Sequence, residues 1–431
     1  MKLATRTLGA GALIGLLLPL GSQVYPGTTQ AASACTGAKT SLIAGGWSGA
    51  DQESTMVRHE LAQFMAANPC VSITYKSQPA NYQQKIQTEF ASGDQPDVMY
   101  LSPDMITNEG KAGKLLALDS YLSKDGVKTS AYIPSLLKTF QYNGKTYGLP
   151  KDWGTLGIFY NKAIFDAKHI AYPSNNLTFD QFRALAKKVY TPSSNPAKVV
   201  YGTMIPSLDI VRFMAIIYGY GSQIMNPDTG QILFNNNKTI QAAEYWTGMQ
   251  LVDHSATVPS TVGDSWQGDS FGKGKVAMVF EGGWLTPYLR STYPKINFGV
   301  AQIPIGPAGR ADPVFTNAWG ASASTKNPAI AAKLVEYLTG TQTQTYQTNI
   351  GFSLPTLSSL QNLPYLKTHP EASNLFASYK VGQLGNFKSY DSQVNKVLGD
   401  ALTSILLGKQ TAQQAIPAAA KTLQSQITAV P

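Results

Sequence analysis

The sequence is short of several residue types that carry chemistry. Only two of its 431 residues are cysteine, Cys35 and Cys70, and only four are histidine, His59, His169, His254 and His369. The histidines lie far apart without ligand spacing, so no metal centre is expected. There is no phosphate-cradling loop and no Gly-x-Gly-x-x-Gly after a strand. No cofactor is expected. Charge is also scarce, at 14% of residues, with 34 Lys and Arg against 25 Asp and Glu for a net charge of +9. The basic residues are dispersed, with no run of five or more. Nucleic-acid binding usually needs a clustered basic face, so no such partner is expected. A basic surface poor in carboxylates suits an acidic exterior, because carboxylates that need a charge lose it there.

Long hydrophobic runs are missing too. Beyond the N-terminus no stretch reaches the roughly 18 uninterrupted apolar residues of a membrane span. The N-terminus itself reads as a targeting segment over 1–34. Lys2 and Arg6 precede an apolar core from Leu8 to Leu20, too short to cross a bilayer, and Ala32-Ser33-Ala34 is an Ala-x-Ala cleavage site. The mature chain is therefore expected to be exported, periplasmic or at the cell surface. From Cys35 it keeps 32 basic residues (34 minus Lys2 and Arg6) and 25 acids, a net +7. A thiol protease is not expected from two cysteines in an exported chain.

Two readings of those cysteines stand side by side. Cys35 directly after the cleavage site fits a lipidated N-terminal cysteine, although Ala32 occupies the usual leucine position. Alternatively, Cys35 precedes a strand at Ser41–Ala44 and Cys70 opens another at Val71–Tyr75. With a helix between them the strands are parallel neighbours, and both cysteines reach one sheet edge. Export permits a Cys35–Cys70 disulfide.

What is present is an α/β pattern in a chain long enough for two lobes. Strand, helix, strand, helix and a third strand at Pro96–Leu101 predict a mostly parallel sheet. Asn143-Gly144 between β-formers marks a hairpin. The stretch Phe271-Gly-Lys-Gly-Lys-Val-Ala-Met-Val-Phe-Glu-Gly-Gly-Trp284 reads as a buried strand, Val276 to Phe280, that ends by presenting Glu281 and Trp284. Ligands in open α/β sheets sit just beyond the carboxyl ends of strands. Trp47, Trp153, Trp284 and Trp319 all fall in or beside such Gly- or Asn-rich strand ends. Trp246 sits in a helix and reads as core; the loop residue Trp266 fits either role. One tryptophan packs in a core more readily than it binds, but four in comparable places weaken that reading. Their faces suit sugar rings, with the strand-end carboxylates Asp104, Asp152 and Glu281 accepting bonds from hydroxyls. The same carboxylates leave open a secreted carbohydrate-active enzyme, which needs two at a defined separation.

Several motifs then match a known family in order. Ala91-Ser-Gly-Asp-Gln-Pro-Asp97-Val98, Gly113-Lys-Leu-Leu-Ala-Leu-Asp-Ser-Tyr-Leu122, Asn143 to Pro150 with Phe159-Tyr-Asn-Lys162, and Phe271 to Met278 with Gly283-Trp284 together resemble the extracellular solute-binding proteins of ABC importers. That group includes maltose- and other sugar-binding proteins. The resemblance implies a periplasmic-binding-protein-like type II α/β fold, with two lobes joined by hinge crossovers and a ligand cleft between. It divides the chain into an N-terminal lobe, 36–153 plus 320–362, and a C-terminal lobe, 158–316 plus 368–431. It implies a monomeric, non-enzymatic sugar-capture subunit that delivers a saccharide to membrane permease subunits; the alternative is a non-sugar solute. By position Trp47, Asp104, Asp152, Trp284 and Trp319 resemble sugar contacts. Glu281, Trp153 and Asn317 lie beside them, with Ser207 and Tyr390 as second-lobe contacts. Trp319 departs from relatives that carry a small residue there, and is expected to add an aromatic wall.

Overall fold

The computed structural model describes residues 35–47, 51–78, 82–206, 210–227, 229–385, 387 and 390–428, so the targeting segment 1–34 and Ser207 lie outside the described residues. The first sheet grows from β1 (Thr40–Trp47), β2 (Val71–Gln78) and β3 (Val98–Leu101). β1 is central and pairs parallel with both, Thr40 opposite Val71 and Ala44 opposite Val98. The connecting helix Asp51–Ala67 buries Met56, Leu61 and Phe64 against Leu42 and Ala44 of β1. Asp97, from the Pro-Asp-Val motif, is a staple. Its Oδ2 accepts from Ile43 N at 2.8 Å and its Oδ1 from Thr325 Oγ1 at 2.6 Å, tying β1 to the return of the chain from the other lobe.

The chain leaves this lobe along β4 (Gly148–Gly154), which continues past Thr155 into β5 (Leu156–Asn161). β5 is the centre of a second sheet, flanked antiparallel by β6 (Met278–Gly282) and β7 (Phe298–Gln302). The chain returns along β8 (Asp312–Ala321). Its far half pairs antiparallel with β3 and β4, while Asp312–Val314 pairs parallel with β9 (Gly382–Leu384). Two strand crossovers thus run between the sheets. They are held together where Asp312 Oδ1 accepts from Leu156 N at 3.0 Å and Thr155 Oγ1 donates to Leu375 O at 2.7 Å. Buried apolar residues form one core around the first sheet, another around β5, β6 and the helices Val211–Gly219, Asn237–Leu251 and Asp391–Leu406, and a third at the junction.

The Phe271–Trp284 stretch starts its strand later than expected. Phe271 closes the helix Gln267–Gly272, and the strand starts only at Met278. Gly274, at φ 72°, provides the turn between them. The apolar run Val276 to Phe280 is buried throughout, but Val276 makes only an isolated bridge to Tyr201 before the ladder begins.

The cysteines are joined, with Cα atoms 4.8 Å apart. Parallel pairing of β1 and β2 brings them to one edge, where Thr40 N donates to Cys70 O at 2.8 Å. A thioether-linked lipid would need the sulfur that Cys35 uses here. The bridge spans 35 residues of sequence, which the chain-entropy model values at about 4 kcal/mol. Reduction, or the Cys35→Ala/Cys70→Ala variant, is expected to lower the urea midpoint and the thermal midpoint by a few degrees; identical melts with and without reductant would show the bridge contributes nothing.

Candidate functional site

A cavity of about 440 Å³ opens between the two sheets. Its N-terminal wall carries Trp47, which ends β1, and Gln52 and Glu53 from the helix after it; Lys151, Asp152, Trp153 and Asn317 come from the crossovers. The opposite wall carries Trp266, Trp284 and Tyr288. Tyr365, Glu371 and Leu375 close one end. Each wall stands beyond the end of a strand, where loop and helix-start residues are free to turn inward.

The N-terminal floor depends on an irregularity. β8 pairs Asn317 with Asp152 and then Ala318 with Pro150, so Lys151 is the extra residue of a bulge in β4. The bulge lets neighbouring residues, Lys151 and Asp152, both reach the cavity. Lys151 is 1% exposed, pairs with Asp152 and lies 3.7 Å from a Glu53 oxygen. Its ammonium stands 4.4 Å from the Tyr100 ring centroid. Burial alone depresses it, but Asp152 and then Glu53 outweigh that and hold it above its ordinary value. Behind this floor Glu60 accepts from Gln347 Nε2 at 2.9 Å through Oε1, while its Oε2 has no hydrogen-bond partner among the described residues. Burial pushes the Glu60 carboxyl up to about 8.

The expected residues divide. Trp47, Asp152, Trp153, Trp284 and Asn317 line one cavity. Trp153 shows only an edge, at 2% exposure, because its indole donates to Pro355 O at 2.7 Å. Trp319 is a correction. It is on the same face of β8 as Asn317 but two residues deeper, opposite Tyr100 of β3, and is fully buried in the first core. It packs on Tyr100 at 4.3 Å and Tyr100 on Trp47 at 4.9 Å, so it supports the aromatic wall from behind. Asp104 does not line the cavity. It begins the helix Pro103–Lys111, accepts from Ser102 Oγ, and burial raises its carboxyl above its usual value. Glu281 is fully buried and stands behind the opposite wall. Tyr390 precedes the helix Asp391–Leu406 and packs on the second core, away from the cavity.

Glu53, Lys151, Tyr288, Tyr365 and Glu371 were not singled out from sequence. Glu53 carries a usable signal, since it follows the first strand end within a turn of helix. Tyr365 and Glu371 lie in a long connection and are brought in only by tertiary packing. Among the described residues no His, Cys, Asp and Glu cluster forms a metal-binding group, and no helix is long and apolar enough to cross a membrane.

An aromatic-walled cavity between two α/β lobes, bridged by continuous strands, defines a hinged ligand-binding protein of the periplasmic-binding-protein fold. The chain belongs to the bacterial extracellular solute-binding protein family, whose profile matches residues 61–374. It is 25% identical over 354 residues to a Brucella abortus protein named only as a binding protein, 80% of this chain and 83% of that one. It is 28% identical over 261 residues to the maltodextrin-binding protein MdxE of Bacillus subtilis, 57% of each. In three dimensions it resembles an ABC substrate-binding protein of Listeria monocytogenes solved with cycloalternan. The TM-score is 0.82 at 23% identity, covering 90% of this chain and 99% of that one.

Proposed function

We propose that the protein is the saccharide-capturing subunit of an ABC importer. The observation that carries this reading is the pairing of half-buried Trp47, Trp266 and Trp284 with the carboxylates Asp152 and Glu53 around one cavity. A sugar ring has an apolar C–H face and a rim of hydroxyls; indole faces match the first and carboxylates the second. Names of relatives point the same way, with maltodextrin for MdxE and cycloalternan in the Listeria complex. The chain acts without catalysis, as an exported monomer that hands its ligand to permease subunits. Its lobes are 36–153 with 320–362 and 158–316 with 368–431. They close about the β4–β5 and β8 crossovers, and the ligand favours the closed state because only there do both walls touch it.

Trp284→Ala tests the reading at one of its stacking faces. A stacked ring is worth about 1–3 kcal/mol by analogy with base stacking, so maltotriose affinity measured by calorimetry is expected to fall about five- to 150-fold. The far-ultraviolet circular dichroism without ligand should stay that of the unsubstituted protein, while the melting temperature falls because buried Glu281 loses a donor. Unchanged affinity would remove Trp284 from the site. Release of shorter sugars from a labelled maltooligosaccharide would instead make the protein an enzyme.

A further inference from the structure

The tryptophan wall is shaped by a carboxylate that never reaches the cavity. Glu281 is fully buried on β6. Its Oε1 accepts from Trp266 Nε1 at 2.9 Å and from Gln267 Nε2 at 2.9 Å. Its Oε2 accepts from Trp284 Nε1 at 2.8 Å and from Arg212 Nη2 at 2.6 Å. Arg212 and Gln267 are fixed in turn on Phe280 O, at 3.3 and 2.7 Å. The Arg212 guanidinium also lies 5.8 Å from the Trp284 ring centroid. Both indole rings fold back over glycines. A Cβ on Gly282 would stand 2.2 Å from the Trp284 ring, and one on Gly268 would stand 2.5 Å from the Trp266 ring.

We infer that Glu281 is a positioning residue that fixes the angle between the Trp266 and Trp284 faces, and so sets affinity without touching the ligand. The chemistry requires a carboxylate. Four side-chain donors and the Gly282 N–H converge on it, and an ionised carboxyl offers only acceptors, whereas an amide turns an NH₂ toward at least one of those donors. Charge-assisted bonds to a buried anion are the strong kind. With both indole N–H groups engaged, the rings present their faces to the cavity. A ring held before the ligand arrives does not lose rotamer freedom on binding, which favours affinity. The ligand class rests on the saccharide reading above.

The test is a mutant cycle in the full-length mature chain. Glu281→Gln alone takes the buried Arg212 guanidinium's Glu281 partner away and risks misfolding, so it is combined with Arg212→Met. The pair of changes is made in the unsubstituted protein and in a Trp266→Phe/Trp284→Phe background, where no indole N–H remains to be held. Maltotriose affinity is expected to fall at least about fivefold in the first and less than about twofold in the second, the non-additivity of coupled sites. The sharp indole bands of the near-ultraviolet circular dichroism should flatten in the first while far-ultraviolet signal persists. Gly282→Ala, which leaves the charge pair untouched, should also weaken binding by pushing the Trp284 ring aside. Equal losses in both backgrounds, or unchanged affinity in the first, would overturn the inference. If the unsubstituted protein binds no maltotriose, the saccharide reading fails by itself. The dichroism then decides: unchanged indole bands in Glu281→Gln/Arg212→Met would overturn the positioning role.

Discussion

Lys151→Met is expected to destabilise the protein by about 3–5 kcal/mol at pH 7, the usual cost of removing one partner from a buried ionic cluster. Lys151 is 1% exposed and is the cation facing Asp152 and Glu53, with Glu60 beyond them. Methionine fills much of the same space, so the cost is electrostatic and not a cavity. Two carboxylates would be left facing each other at the cavity floor with their neutralising charge gone. They respond by taking up protons, so the penalty should shrink as pH falls. Urea unfolding of both proteins at pH 7 and pH 5 checks this. The midpoint difference should be large at pH 7 and markedly smaller at pH 5. A difference below about 1 kcal/mol at pH 7, within the range of exposed ion pairs, would mean that Lys151 does not hold the floor together.

The second large effect is a loss of stability as pH rises from 4.5 toward 8. Burial raises the Glu60 carboxyl from 4.5 to about 8 and that of Asp391 from 3.8 to about 7. Asp391 is pushed further by Asp104. Asp312, which is fully buried, is raised by the same cause. Glu60 Oε2 and Asp312 Oδ2 have no hydrogen-bond partner among the described residues, as suits carboxyls that are neutral when folded. For such groups the folded state holds the proton more tightly than the unfolded chain. Their stabilisation is complete below the unfolded value and is lost as pH passes the folded one. For Glu60 the span from 4.5 to about 8 corresponds to a change on the order of 5 kcal/mol. Asp253 and Asp264 act oppositely: hydrogen bonds from Arg183 to the first, and from Lys273 and Lys275 to the second, hold their carboxyls below the usual value. That stability disappears only as pH falls through their depressed values. The unfolding midpoint should therefore be highest in mildly acidic solution and decline toward pH 8, and Glu60→Gln should flatten part of the decline. A midpoint that rises between pH 5 and pH 8 would contradict this. The acidic exterior suggested by the scarcity of carboxylates has its counterpart here, in the few that are buried.

The fold was legible in the sequence because its signals are local. Alternation in Val71–Tyr75, helical spacing in Met56–Phe64 and glycine or proline at the joints are enough to lay out a β1–β2–β3 sheet. The disulfide was one of two readings open in the sequence beside a lipidated Cys35; the structure joins the pair, parallel neighbours bringing Cys35 and Cys70 to one edge. The site was legible only at strand ends. Trp47 ends β1, Asp152 lies near the end of β4 and Trp284 follows β6, so a strand fixes the direction of each. Trp319 looked equivalent, but depth along a strand is set by which neighbour it crosses, and Tyr100 on β3 is distant in sequence. Lys151 reaches the cavity through a bulge that no local pattern marks. Glu281 ended the expected strand as a cleft residue. Its burial depends on Arg212, far away along the chain, which has no sequence signal linking it to that carboxylate.

The most direct measurement of the central claim is isothermal titration calorimetry of the purified mature chain with glucose, maltose, maltotriose and a cyclic glucan, alongside a search for hydrolysed product. The account expects saturable one-to-one binding to at least one of these saccharides, with a negative heat-capacity change from the apolar faces covered and no product formed. Absence of binding to every saccharide, or turnover of any of them, would contradict it.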